Sequence, residues 1–262
     1  MRRAAEWLRK RLELPEVRGL DRDAPELVAV HRAIIRRKPF LRAIYREQYK
    51  ELLRSLEGLP DGPVVEIGSG GGFLKELLPE VVTTDLHADA GIDRVMSAES
   101  LDFADGSVAA LVMLNVFHHF PDPRKFLREA ERVLRVGGRL ILIEPAHTWL
   151  WKRLYTRFSA EPYDAAVEDW GFTPAGRFTG SNVPQAWIVF QRDRRRFAEE
   201  FPALRLRGVR HHTALLYLLS GGIWYRGLVP AWTFPIFRGL EALLRPAMPL
   251  LAGQTTYRIE RV

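Results

Sequence analysis

The run Val64-Val65-Glu66-Ile67 followed by Gly68-Ser69-Gly70-Gly71-Gly72 constrains this chain more than any other stretch. An apolar, β-type segment ends in a carboxylate and then breaks into four glycines. Apolar residues at helical spacing (Phe73, Leu74, Leu77, Leu78) follow at once. The order predicts strand, tight turn and helix. Glycine lets the backbone approach a ligand closely, and a helix start offers unpaired N–H groups. Such a turn in an α/β chain points to a nucleoside-bearing ligand; the alternative is a glycine-rich surface turn that binds nothing. In the dinucleotide pattern G-x-G-x-x-G, counted from Gly68, the third glycine would fall on Phe73, so that match fails.

The next segments repeat the strand-then-carboxylate order. Val81-Val82-Thr83-Thr84-Asp85 places an acid 17 residues after Gly68, close to the ~20-residue offset at which a carboxylate meets a ribose. The alternative for Asp85 is a helix N-cap. Ser97 to Ser107 leads into a buried-type run, Val108 to Val116, and then into Phe117-His118-His119-Phe120-Pro121-Asp122-Pro123. Phe126, Leu127, Ala130, Val133 and Leu134 carry helical spacing, with Val136-Gly137-Gly138 as the stop signal. Arg139 to Glu144 reads as another apolar strand.

The spacing Glu66-x-Gly68-x-Gly70-x-Gly72 resembles the acidic-x-Gly-x-Gly-x-Gly motif of class I S-adenosylmethionine-dependent methyltransferases. The whole succession from about residue 60 to 145 is similar to the methyltransferase type 11 group. The resemblance implies an α/β fold: a Rossmann-like, seven-stranded sheet, mostly parallel with the last strand antiparallel. It also implies S-adenosyl-L-methionine as cofactor and S-adenosyl-L-homocysteine as product. Glu66, Gly68, Ser69, Gly70 and Gly72 would cradle the methionine part, Asp85 would hold the ribose, and Leu86 would flank the adenine. Ser97 and Ala98 stand where the group usually has Asp-Ala beside the adenine amino group, so Glu99 or a backbone group would have to replace that contact. Ala109 stands where many members have Asp, and Asn115 would sit near the sulfonium.

Around this core the chain divides into an N-terminal helical cover, 1–58, and a methyltransferase domain, 59–262. Three helical patterns fill the cover: one with Ala4, Ala5, Trp7, Leu8 and Leu12, one from Pro25 to about Arg37, and one from Pro39 to Leu56. Tyr45 and Tyr49 lie one turn apart on the third and either pack on the sheet or face an acceptor pocket. Residues 146–191 predict a cover or substrate loop: Trp149 to Phe158 is helical, 159–184 is long and rich in Pro and Gly, and Gln185 to Phe190 reads as extended. Asp193 to Phe201 predicts a helix, Leu204 to His212 a strand, and Thr255 to Val262 the last strand.

Between those two strands lies an apolar insert, 213–253. Its longest uncharged run is 13 residues, Thr213 to Tyr225, short of the ~18 needed to span a bilayer. Trp, Tyr and Arg beside apolar turns suit an interfacial segment. Leu218 to Gly222 resembles an insert of bacterial methyltransferases in polysaccharide or lipid-linked pathways. The insert then either touches a membrane, packs on the domain, or joins a second subunit.

A net charge of +7, with only six lysines among 39 basic residues, attracts anionic lipid or nucleic acid; no RNA-binding motif is visible, so a membrane surface ranks first. The chain has no cysteine, which excludes disulfides and thiolate metal sites. No apolar signal segment follows Met1-Arg2-Arg3, and the expected location is the cytoplasm, at the inner face of the membrane or free of it. His119 and His118, at the end of the fourth strand, are the candidate bases, with His147 a second choice. As adjacent residues of an extended segment the pair would diverge, so no metal site is expected. The reading is therefore methyl transfer to a small or lipid- or saccharide-linked acceptor. An RNA methyltransferase and a non-catalytic cofactor-binding scaffold are the alternatives.

Overall fold

The computed structural model describes residues 11–262 except 22, 25, 160, 174, 175 and 177–179. The first helical pattern, on Ala4 to Leu8, lies outside the described residues. Seven strands form one sheet in the order β3-β2-β1-β4-β5-β7-β6: β1 Val64–Ile67, β2 Val82–Asp85, β3 Arg94–Val95, β4 Val108–Leu114, β5 Leu134–Pro145, β6 Leu204–His212 and β7 Gln254–Arg261. β1 to β5 pair in parallel, and β7 runs antiparallel between β5 and β6. This is the expected fold class. The order reverses between β1 and β4, and ligands of open parallel sheets bind at the carboxyl ends beside such a reversal.

The central strands are apolar on both faces because both faces are covered. Along β4, Leu111 and Met113 join the core on one side and Ala110 and Val112 the core on the other; in β5, Leu140 and Leu142 oppose Ile141 and Ile143 in the same way. Helices α1 (Leu27–Arg37) and α2 (Pro39–Arg54) cover the second face. α1 buries Leu27, Val28, His31, Ile34 and Ile35, a one-sided stripe at 3–4 spacing. α2 starts with Pro39 in its first turn, where the missing N–H costs nothing. On the first face α3 (Pro123–Val133) is capped by Asp122, whose carboxylate accepts from Arg124 N at 3.1 Å.

Three local expectations differ from the structure. The residues after Gly72 make only a single 3₁₀ turn, Leu74–Glu76, since Pro79 leaves too few residues for a helix. The helix before Gly137-Gly138 stops at Val133, and β5 begins at Leu134; the two glycines lie inside a strand irregularity, with a β-carbon on Gly138 only 2.9 Å from Ala109 O. Gln185 to Phe190, expected to be extended, forms a helical turn that widens into a π-helical stretch, Ile188–Arg192.

The chain continues with α4 (Trp149–Phe158) and α5 (Arg194–Glu200). Within the insert it forms α6 (Leu216–Ser220), α7 (Phe234–Leu243) and α8 (Met248–Leu251). The inner side of the insert packs on α2, where Leu216, Leu219, Phe234 and Phe237 meet Phe40 and Ile44. Lys38, between α1 and α2, donates to Gly222 O at 2.6 Å and Tyr225 O at 2.7 Å; burial brings its ammonium down to about 8. Among the described residues no helix is long and apolar enough to cross a membrane.

The glycine turn is tight against these helices. A β-carbon on Gly71 would meet Arg32 N at 2.8 Å, and one on Gly72 would collide with the Tyr49 hydroxyl and lie 2.9 Å from Ser69 O. Gly72→Ala is therefore expected to destabilise the fold by about 1–3 kcal/mol through overpacking, lowering the midpoint by about 2–4 °C per kcal/mol. Adding Tyr49→Phe should recover part of the loss in a thermal scan; no recovery would mean that the hydroxyl is not what excludes a side chain there.

Candidate active site

A cavity of about 760 Å³ opens at the carboxyl ends of β1, β2 and β4, under α1 and α2. Its floor is the turn after β1. Gly68 (φ 65°) and Gly70 (φ 50°) hold left-handed conformations that only glycine adopts without strain. A β-carbon on Gly68 would also run into Val116 at 2.8 Å. Ser69 N donates to Thr84 O, which ties the turn to β2, and Gly70 N donates to the Asp85 carboxylate at 3.0 Å. Arg32 of α1 clamps the same turn from above, donating to Gly70 O at 2.9 Å and pairing with Asp89.

Every residue read from sequence as a cofactor contact lines this one cavity: Glu66, Gly68, Ser69, Gly70, Gly72, Asp85, Leu86, Ser97, Ala98 and Asn115. Their surroundings differ. Glu66 is buried, and burial pushes its carboxyl up to about 7, a Ser69 hydrogen bond opposing the rise and nearby Asp85 adding to it. Gly72 is demanded by Tyr49 as much as by any ligand. Ser97 Oγ is occupied in accepting from Glu99 N at 3.1 Å, and Glu99 pairs with Lys125. Asn115, just after β4, stands at φ 56°, a costly conformation outside glycine that clusters at functional sites. Ala109 lies buried at the other end of β4, where Gly62 and Gly138 pack against it: a β-carbon on Gly62 would lie 3.4 Å from its methyl group and one on Gly138 2.9 Å from its carbonyl oxygen.

The histidine pair sits on a 3₁₀ turn, Phe117–His119, not on an extended segment. Its rings therefore lie side by side, with centroids 4.1 Å apart, and both line the cavity. The two side chains converge instead of diverging as an extended segment would have required. Ligating atoms of His118, His119 and Glu161 fall within 4.8 Å of one another, so three donors of metal-binding type converge where none were expected to. His118 is held between two carboxylates, Nδ1 at 2.6 Å from Glu144 and Nε2 at 3.4 Å from Glu161. Burial alone would lower its basicity, but Glu144 and Glu161 outweigh burial and raise it to about 10. It is thus an imidazolium at neutral pH. Glu144 also accepts from Val116 N at 2.7 Å and Phe117 N at 2.8 Å, so one buried carboxylate shapes the whole turn.

His147 stands elsewhere: it stacks on Trp187 and pairs with the Tyr163 hydroxyl at 2.6 Å, and burial brings it down to about 4. The far wall of the cavity is aromatic and apolar, with Tyr45, Trp151, Tyr155, Phe158, Tyr217 and Trp224. Tyr45 and Tyr49 both reach the cavity while packing on Phe73. Sequence reasoning missed His31, Arg32, Glu144 and Glu161. The acid closing β5 could have been noticed, because acids also close β1 and β2.

Residues 65–142 match the profile of the methyltransferase domain family. The chain is similar to a demethylmenaquinone methyltransferase of Thermotoga maritima, 29% identical over 154 residues, which is 52% of this chain and 63% of that protein. It is also similar to a ubiquinone biosynthesis O-methyltransferase of Xanthomonas oryzae pv. oryzae, 33% identical over 98 residues, 30% of this chain and 41% of that one. A third relative is a 2-methyl-6-phytyl-1,4-hydroquinone methyltransferase of rice (Oryza sativa subsp. japonica), 29% identical over 37% of this chain and 32% of that one. The chain thus spans less than two thirds of the length of each of these relatives. Among solved structures, geranyl diphosphate C-methyltransferase of Streptomyces coelicolor A3(2) overlays with a TM-score of 0.48 at 16% identity, covering 96% of this chain and 89% of that one.

The raised basicity of His118 carries a sign. A group more basic when folded than its ordinary ~6.5 stabilises fully below that pH and loses the effect as pH climbs toward the folded value. The midpoint difference between wild type and His118→Gln should be largest near pH ~6 and shrink steadily toward pH ~10. A constant difference across that range in calorimetric scans would contradict an imidazolium between Glu144 and Glu161.

Proposed function

We propose that this chain, whose core is a class I S-adenosylmethionine-dependent methyltransferase domain of type 11, transfers a methyl group to a small, largely apolar acceptor that carries a polar reacting end. The observation that supports this reading is the continuity of one cavity, from the glycine turn and Asp85 to an aromatic wall, with the histidine turn between them. Its volume falls in the ~300–1,000 Å³ range of small-molecule sites.

The donor set suits the cofactor. Bound, S-adenosylmethionine supplies a methyl group activated by the adjoining positive sulfur. In this reading Asp85 accepts from ribose hydroxyls, while the backbone of Gly68 to Gly70 lies along the methionine part. Glu66, which burial leaves close to half-ionised near neutrality, becomes a full anion beside an ammonium group. Leu86 and Ala98 flank the base, and Asn115 stands at the reacting end.

The acceptor occupies the aromatic wall under α1, α2 and α4. Such a transfer needs positioning and exclusion of water more than acid–base help. Where the acceptor is a hydroxyl, His119 is the candidate base; His118, already protonated, holds the turn and Glu161 in place. The quinone-related names of the relatives agree with a ring bearing a hydroxyl and an apolar tail. A polynucleotide would call for a basic track, and this wall is apolar.

Calorimetry with S-adenosylhomocysteine tests the reading. Binding is expected at micromolar concentration, and Asp85→Ala should weaken it at least tenfold without a large loss of thermal stability. Absence of binding at millimolar cofactor would end the proposal. Binding without methyl transfer to any of a panel of prenylated phenols would leave the scaffold alternative in its place.

A further inference from the structure

The insert hides one side and shows the other. Its inner residues are spent on α2, but Trp232 is 71% exposed, Ile236 60% and Leu243 78%, with Leu228, Leu240 and Leu250 exposed beside them. Along α7 the outward positions 236, 240 and 243 follow helical spacing, so the apolar stripe is continuous and faces solvent. A stripe of this kind on a monomer marks a surface that meets something.

Charge says what it meets. The insert, 213–253, has three arginines (Arg226, Arg238, Arg245) and one acid, Glu241. Glu241 is buried, and its carboxylate accepts from Leu215 N at 2.6 Å and Leu216 N at 2.9 Å, locking α6 to α7. The outward charge of the insert itself is therefore wholly positive. α4, against which α8 packs, adds Lys152, Arg153 and Arg157 and has no acid of its own. Trp149 is exposed on α4, with the Arg153 guanidinium 4.0 Å over its ring. Acids of other elements reach two of the insert's arginines: Glu47 of α2 pairs with Arg238, and Glu16 faces Arg226; the arginines and lysine of α4 and Arg245 remain at the edge of the stripe. Aliphatic and indole side chains bordered by arginines are what an interfacial helix presents to anionic headgroups. Two copies of the chain meeting through this face would instead bring arginine to arginine.

The patch also adjoins the cavity. Phe158, Leu218 and Leu228 line the cavity and are at the same time exposed. We infer that the outer face of the insert, with α4, docks on an anionic phospholipid bilayer, so that an acceptor with an apolar tail passes from the lipid into the cavity. The delivery of an acceptor rests on the methyl-transfer reading above; the docking does not.

Co-sedimentation of the full chain with vesicles tests it, using phosphatidylcholine alone and phosphatidylcholine mixed with phosphatidylglycerol. The chain should partition at least tenfold more strongly onto the anionic vesicles, less so at high salt. Ile236→Asp with Leu243→Asp should abolish binding while leaving the thermal midpoint and S-adenosylhomocysteine affinity unchanged. Arg157→Glu with Arg245→Glu, which leaves the apolar stripe intact, should weaken it by a similar factor. Equal partition onto both vesicle types, or retention by the aspartate variant, would overturn the inference. So would a dimer in light scattering that the aspartate variant dissolves, since the face would then belong to a second copy. A chain that binds the cofactor but no vesicles refutes only this inference; one that binds vesicles but no cofactor refutes only the methyl-transfer reading.

Discussion

The buried carboxylate of Glu144 organises the open end of the sheet. It accepts three hydrogen bonds, from the backbone of Val116 and Phe117 and from the ring of His118. An anion with no exposure is costly unless every lone pair is matched, and here the matching groups all belong to one turn. That need forces the chain after β4 into a 3₁₀ turn, which sets His118 and His119 side by side and aims them at the cavity. Glu161, arriving from the long segment after α4, completes the arrangement against the far side of His118. Position in the cavity thus follows from satisfying a charge.

A second constraint is steric. The four glycines after β1 have separate reasons. Gly68 and Gly70 adopt left-handed conformations, and Gly68 lies against Val116. Gly71 and Gly72 leave space for α1 and for the Tyr49 hydroxyl, which accepts from Phe73 N. Half of the motif therefore serves the contact between the turn and its helical cover. Arg32 reinforces that contact, and Lys38 passes it on to the insert. Glycine turn, cover and insert are linked by backbone groups that accept from these two cations, so the cavity is enclosed by elements far apart in sequence.

Local patterns in the chain carried much of this. Continuous apolar runs marked β4 and β5, and Leu204 to His212 appears with the bounds read from sequence. α2 and α4 likewise follow from apolar spacing and, for α2, from an N-terminal proline. The departures were also local competitions. Pro79 cut short the helix after Gly72, and pairing with β4 drew residues 134–138 into β5 despite two glycines. Asp122 caps α3, because its side-chain oxygen, one residue before Pro123, reaches Arg124 N.

Sequence by itself determined the fold class, the glycine-rich turn and the carboxylates beside it, because each is written within a few residues of its own effect: an apolar run makes a strand, glycine permits a turn, an acid closes a strand. Only the tertiary structure decided that His118 is a cation, that Glu161 and His31 reach the cavity, and that the insert turns an apolar, arginine-edged face outward. Those outcomes depend on groups from distant segments meeting in a low-dielectric interior or at one surface, and no local spacing encodes which of them will meet.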